Sequence, residues 1–175
     1  MIMPPRVRKF ALSAHVTTSV GWVGAAIVFL ALAVVGLTSQ DAATVRGAYL
    51  VMEPAARLAL LPLALASLLS GLIQSLGSTW GLFRHYWVVF KLLINVFATF
   101  VLLMYMETFR FIAGVAADRS ADLGAVRNES PMLHAVLALV LLLVATVLAV
   151  YKPRGLTPYG QRKEREQSRM RGRAG

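Results

Sequence analysis

Long intervals without charged side chains constrain the fold of this chain more than any other feature of its sequence. Charged residues are absent from residues 10–40, 58–83 and 130–151, and residues 85–106 contain only Lys91. A helix needs about 20 apolar residues to cross the hydrocarbon core of a bilayer. Because all four intervals meet that length, the sequence predicts an all-α integral membrane protein, a four-helix up-down bundle.

Basic residues flank these intervals and dominate the formal net charge of +10. Arg6, Arg8 and Lys9 precede the first interval, and a basic run from Lys152 to Arg173 follows the last. Because Lys and Arg are enriched on the cytoplasmic side of membrane spans, both termini are predicted to lie in the cytoplasm. Charge so placed indicates contact with the membrane surface and not with nucleic acid. The chain has no cysteine, which excludes disulfides and thiolate metal sites.

Two parts are expected, a transmembrane domain over residues 1–152 and a basic cytoplasmic tail over residues 153–175. The tail is polar and basic, so we expect it to be disordered and attracted to anionic lipid headgroups. The expected partners are the lipid bilayer and these headgroups, with a homo-oligomer or a larger membrane complex as further options and no nucleic acid.

The limits of the spans follow from glycine, serine and proline residues at the ends of the intervals. The expected helices cover residues 10–37, 49–75, 83–116 and 131–151. The second is predicted to begin at Tyr49 or Pro54, after an external loop over residues 39–50, and to bend at Pro62. The third is predicted to continue beyond the membrane, because the helical spacing of its apolar residues persists past residue 106.

Two ionisable residues lie within the predicted spans at similar depth. His15 follows Lys9 by about one and a half turns, and Lys91 follows Arg84 by about two turns, which is roughly 8–10 Å of helix in each case. An ionisable side chain within a membrane is costly, and it therefore marks a candidate site by default. We expect His15 and Lys91 to lie on facing helices and to converge in the inner-leaflet half of the bundle.

Further polar residues are expected to line the bundle or its inner mouth. Gln74, Asn95 and Thr99 are predicted to point into the interior, as polar residues of membrane helices usually do. His85 lies at the start of the third helix and is a further candidate for cofactor binding. Structural explanations stay open: Lys91 could extend its amine to the headgroups, and His15 could be a buried, hydrogen-bonded histidine without a ligand.

Two segments resemble a known group of proteins. The sequences HVTTSVGWVGAAIVFLALAV at residues 15–34 and HYWVVFKLLINVFATFVLL at residues 85–103 are similar to the first and third helices of small bacterial inner-membrane proteins. This group includes the copper-resistance CopD domain, the HemJ-type protoporphyrinogen oxidases and uncharacterised actinobacterial relatives. The resemblance implies a location in the plasma membrane of a bacterium. It also implies that His15 and Lys91 correspond to the essential His and Lys of the HemJ type, which are associated with b-type haem. The Pro-Arg and Tyr-His pattern of the HemJ type is absent, so the likeness is greatest to the uncharacterised members.

Three functions remain open at this stage, and whether the protein is an enzyme stays undecided. The first is a haem-associated or redox-linked membrane protein, with His15 as an iron ligand and Lys91 as a second ligand or the partner of a haem propionate. The second is a non-catalytic membrane subunit or scaffold without a cofactor. The third is a copper-uptake or permeability component, which ranks last because the sequence contains no cluster of metal ligands.

Overall fold

The computed structural model describes residues 3–78, 81–127 and 129–173, and these residues form α-helices without a β-strand. The helices are α1 (Pro5–Thr38), α2 (Ala42–Leu76), α3 (Tyr86–Ala117), α4 (Ser130–Tyr151) and α5 (Pro158–Arg173). Helices α1 to α4 are each long and apolar enough to cross a membrane. The prediction of an all-α, multi-pass membrane protein is therefore confirmed.

Helices α1 to α4 form a ring in which each packs against its neighbours in the sequence, and α4 closes the ring against α1. Consequently α1 and α3 lie on one diagonal of the bundle. We call the end that carries Arg8, Arg84 and Lys152 the basic end, and the end that carries residues 39–41 and 118–127 the loop end. Large apolar side chains cover the outside of the bundle, among them Phe100, which is 58% exposed, and this surface suits contact with lipid.

The start of α2 differs from the prediction. The helix begins at Ala42, so the expected loop over residues 39–50 shrinks to residues 39–41. Asp41 is the reason, because its carboxylate accepts hydrogen bonds from the backbone N–H groups of Ala43 and Thr44 and so caps the helix. The Thr44 hydroxyl and these two amides also hold the pKa of Asp41 below its usual range. Hydropathy alone does not register such a cap.

A π-helical segment, Ala56–Leu60, interrupts α2 just before Pro62. Proline lacks a backbone N–H and crowds the carbonyl of the preceding turn, so the hydrogen-bonding pattern has to change at this point. A single wide turn of this type is a common way for a helix to absorb the change. The irregularity therefore lies immediately N-terminal to Pro62, the position at which the sequence predicts a bend.

The tail also differs from the prediction, because the structure places residues Pro158–Arg173 in a helix and not in a disordered chain. Its start is held against the segment that leads into α3, where the Thr157 amide donates to the Arg84 carbonyl at 3.0 Å and the Tyr86 amide donates to the Gly155 carbonyl at 3.3 Å. The Thr157 hydroxyl accepts from the Gly160 amide at 3.1 Å. Threonine before a proline is a strong helix start, which a reading based on composition misses.

We call this contact between residues 155–160 and residues 83–86 the tail clasp, and it yields a prediction. Replacing Gly160 by Ala is expected to release α5, because a Cβ there would overlap the backbone carbonyl of Arg84. Faster amide hydrogen exchange over residues 158–173 would report the release. Gly172→Ala is the matched control, since nothing lies within 4 Å of its added Cβ and alanine favours the helix. Equal exchange in the two variants would show that the clasp does not hold α5.

Candidate functional site

His15 is half-buried on α1 and faces α2. Its Nδ1 atom lies 3.2 Å from the carbonyl oxygen of Ser67 and 3.2 Å from the hydroxyl of Ser70. Because a carbonyl can only accept, the first contact requires a hydrogen on Nδ1. In the neutral ring this leaves a lone pair on Nε2. A histidine whose Nδ1–H donates to a backbone carbonyl is in the state that metal-ligating histidines commonly adopt.

Small and hydroxyl-bearing residues around His15 form a polar seam between α1 and α2. The seam consists of His15, Ser19, Ser67, Ser70 and Gly71. The Ser19 and Ser67 hydroxyls are 2.8 Å apart, and a Cβ at Gly71 would lie 3.0 Å from the His15 ring. Small residues let membrane helices approach closely, and hydroxyl contacts add to the attraction. The seam therefore fixes the position of the imidazole.

Lys91 is half-buried on α3, across the diagonal from His15. Lys152, which follows the last residue of α4, lies at the same end of the bundle. The ion pairs of the described residues all lie elsewhere, and none gives Lys91 a carboxylate. The structure thus brings His15 and Lys91 to the same end of the bundle on diagonal helices, where positive charge accumulates.

The three predicted lining residues have different surroundings. Asn95 donates its amide to the Lys91 carbonyl of its own helix at 2.8 Å, so this bond does not connect two helices. Thr99 is 4% exposed, and its hydroxyl has no hydrogen-bond partner among the described residues. Gln74 is half-buried near the basic end of α2. Of the three, Thr99 lies deepest in the protein.

His85 belongs to the tail clasp. It precedes the first residue of α3, its backbone forms an isolated antiparallel bridge with Leu156, and its ring centre lies 6.5 Å from that of Trp87. This placement ties His85 to the attachment of the tail. Within the described residues, no group of three or more His, Asp or Glu side chains could hold a metal ion. A haem iron needs only one or two protein ligands, so this finding bears on a free-ion site and not on haem.

Another polar cluster lies at the loop end and involves His134. Its Nδ1 atom is 2.8 Å from the Ser130 carbonyl, and its ring centre is 4.3 Å from that of Tyr105. The Tyr105 hydroxyl lies 2.9 Å from the Ser130 hydroxyl. These contacts explain His134 as part of the first turn of α4, in agreement with a structural role.

Sequence reasoning missed Arg46, which organises the loop end. Its guanidinium donates hydrogen bonds to five backbone carbonyls at and beyond the end of α3, those of Val115, Ala116, Asp118, Arg119 and Ala121. The last carbonyls of a helix have no partner within it and carry its negative dipole end. An arginine in a predicted loop gave no signal of this role, because its partners lie about seventy positions away in the sequence.

Comparison with protein-family models, curated proteins and solved structures finds no match for this chain. The resemblance to the CopD and HemJ-like group therefore stays a prediction. What the structure adds is local: a fixed imidazole and a half-buried ammonium at the basic end of a membrane bundle.

Proposed function

We propose that this protein is a small bacterial plasma-membrane protein that binds b-type haem in the basic half of its bundle and has a redox or haem-related role. The observation that carries the proposal is a positioned histidine at the same end of the bundle as a half-buried ammonium to which no carboxylate of the described residues is paired. The Nδ1 atom of His15 is engaged by the Ser67 carbonyl, and Lys91 is half-buried on the diagonally opposite helix. The resemblance to CopD and HemJ-like proteins supports the same reading.

The available side chains suit the iron and a propionate group of a haem. His15 would offer Nε2 to the iron, because its other ring nitrogen is bound to α2. Lys91 would pair with a propionate, for which a half-buried cation is a favourable partner. Bound haem would supply one-electron chemistry, while the polar seam would hold the ligand in place.

The orientation of the chain and its surface contacts are part of the proposal. Both termini lie in the cytoplasm, because the basic end carries the flanking arginines and lysines. Helix α5 then lies beside the inner leaflet, and six of its residues are basic: Arg162, Lys163, Arg165, Arg169, Arg171 and Arg173. Each basic residue near an anionic surface contributes about 1 kcal/mol of attraction. This helix is also the natural contact surface for a second copy or a larger membrane complex.

A scaffold without a cofactor is the second candidate, and the polar seam favours it. The contacts of His15 with Ser67, Ser70 and Gly71 account for a half-buried histidine through helix packing alone. In this reading the seam joins α1 to α2, and Lys91 extends its amine toward the headgroups. A copper-uptake or permeability role ranks third, since a free-ion site would need several ligands.

Bound-cofactor content separates these functions. The purified wild-type protein is expected to show the Soret absorption of a b-type haem, and His15→Ala is expected to lose most of it. Lys91→Met should weaken haem binding about tenfold or more, the scale of one charge-assisted hydrogen bond at roughly 1.5–3 kcal/mol. The measurement is haem per protein in the purified sample, with His134→Ala as the control that removes a histidine from the opposite end.

The haem content of the wild type and the variants distinguishes the haem proposal from the scaffold. Wild type without haem after expression with added haem precursor, or variants with unchanged content, would refute the haem proposal and favour the scaffold. Loss in His134→Ala equal to that in His15→Ala would show that the site does not lie at the basic end.

A further inference from the structure

A cavity opens inside the bundle on the loop-end side of the membrane, away from the polar seam. Every helix from α1 to α4 contributes to its lining, and the walls are almost wholly apolar. Trp22, Leu60 and Leu141 line the part of the cavity near the middle of the bundle. Tyr105 and His134 line the part nearest the loop end. Along α4 the lining extends from Pro131 to Leu141, which is about 15 Å of helix. The cavity therefore reaches from the loop end toward the middle of the bilayer.

The cavity exists because alanines face it. Ala26, Ala98, Ala135 and Ala138 all belong to the lining. Protein interiors are otherwise close-packed, so an alanine opposite an alanine leaves space that a larger side chain would fill. Four such residues on three helices leave a gap in an otherwise packed core.

The mouth of the cavity faces lipid and not water. Phe97 on α3 and Leu137 on α4 both line the cavity, yet they are 53% and 51% exposed on the outer surface of the bundle. Val101 and Leu141 continue the two rows one turn further along. The gap between α3 and α4 therefore connects the cavity to the hydrocarbon region of the membrane.

Size and chemistry select the occupant. Water is unsuitable because a buried water needs two to four polar partners. The cavity measures about 80 Å³, which is below the roughly 150 Å³ of an apolar cavity that holds a benzene ring. A planar macrocycle is larger still, so haem does not fit here. The space is too small for a whole acyl chain, but it admits the end of a linear hydrocarbon chain, and such chains surround the mouth.

We propose that this cavity binds the terminal segment of one acyl chain of a membrane glycerophospholipid, which enters between α3 and α4 from the loop-end leaflet. The chain replaces the dispersion contacts that an empty cavity would forgo. Its terminal carbons lie in the cavity beside Trp22, and the rest of the chain lies outside, along the gap between α3 and α4. The lipid thereby becomes an integral part of the packing of the bundle and joins α3 to α4. This site is separate from the proposed haem site at the basic end and does not depend on it.

Fluorescence of Trp22 tests the proposal directly, because this side chain lines the cavity while only 3% of its surface is exposed. Trp80, which lies outside the described residues, and Trp87 are replaced by Phe so that Trp22 is the sole emitter. The protein is reconstituted in vesicles of phosphatidylcholine whose chains carry bromine either near the terminal methyl or near the headgroup. Bromine quenches tryptophan on contact, so terminal bromines are expected to reduce the emission strongly and headgroup-proximal bromines only slightly.

Filling the cavity is the decisive control. Ala138→Leu and, independently, Ala135→Leu are expected to abolish the quenching by terminal bromines, because the added side chain occupies the space of the lipid chain. Ala149→Leu, on the same helix but outside the lining, should leave the quenching intact. Quenching that persists in both filled variants, or is absent from the unfilled protein, overturns the proposal.

A second readout keeps the proposal testable if the tryptophan replacements impair folding. Wild-type protein in vesicles with a photoactivatable diazirine near the chain terminus should crosslink at Trp22 and Ala98, which line the cavity and are only 3% and 7% exposed. Crosslinks confined to outward-facing residues would refute chain entry.

Discussion

Replacing Arg46 by Met is expected to lower the free energy of unfolding of the bundle by about 2 kcal/mol, the scale of hydrogen bonds made by a charged group. The guanidinium donates to five carbonyls around the end of α3, including the Ala121 carbonyl at 2.9 Å. Methionine keeps a stem of similar length but donates nothing. The carbonyls that lose their partner are partly accessible to water, which limits the cost. Unfolding of the detergent-solubilised protein, followed by circular dichroism against denaturant, measures the change.

Arg110→Met is the matched control for Arg46→Met. Arg110 pairs only with Glu107 within the described residues, at 2.8 Å, and both side chains are mostly exposed. Exposed pairs of this kind contribute about 0–1 kcal/mol. The control should therefore unfold near the wild-type denaturant concentration. Equal losses in the two variants would contradict the role assigned to Arg46, since they would reflect a general effect of removing charge at the loop end.

Arg46 also illustrates why the spans were predictable from the sequence while their ends were not. The hydropathy of a span is summed over about twenty residues, so a single residue changes it only slightly. Helix ends depend instead on single contacts, such as the carboxylate of Asp41 on two amides and the hydroxyl of Thr157 on one. The sequence did contain both capping residues, and a search for caps in addition to hydropathy would have found the early start of α2 and the helical tail.

The candidate site was predictable in part, for a similar reason. Depth along each helix follows from counting residues, which places His15 and Lys91 at the same end. Which residue a side chain contacts depends on the rotation of neighbouring helices, and counting does not provide that rotation. His15 consequently contacts Ser67 on α2, while Asn95 bonds to its own helix. Polar side chains of membrane helices often bond to the backbone of their own helix. A row of polar residues along one helix therefore does not show which neighbouring helix it contacts.

A close approach of α1 and α2 at the loop end gives the second large expected effect. Gly36→Ala is expected to destabilise the bundle by about 1–3 kcal/mol, the usual cost of adding a carbon to a packed core. A Cβ at Gly36 would lie 2.5 Å from Cε1 and 2.6 Å from Cζ of Tyr49. Tyr49 is only 1% exposed, so its ring has little space into which it could move. The measurement is again the denaturant midpoint in detergent.

The same substitution elsewhere in α1 should have the opposite sign. Nothing lies within 4 Å of a Cβ added at Gly24, and alanine is favoured over glycine within a helix by up to about 1 kcal/mol. Gly24→Ala is therefore expected to be neutral or stabilising. Destabilisation of equal size at both glycines would show that contact with Tyr49 is not the cause.

A double-mutant cycle then assigns the cost of Gly36→Ala to the Tyr49 ring. Tyr49→Phe keeps the two ring carbons that an added Cβ would meet, so Gly36→Ala should remain costly in that background. Tyr49→Leu removes the ring, and the cost of Gly36→Ala should fall there although Tyr49→Leu is itself destabilising. The cost of Gly36→Ala in the Tyr49→Phe background minus its cost in the Tyr49→Leu background gives the coupling energy of the contact with the ring. Residues in direct contact usually couple by about 0.5–3 kcal/mol. Equal costs in both backgrounds would place the strain elsewhere, because only the ring distinguishes them.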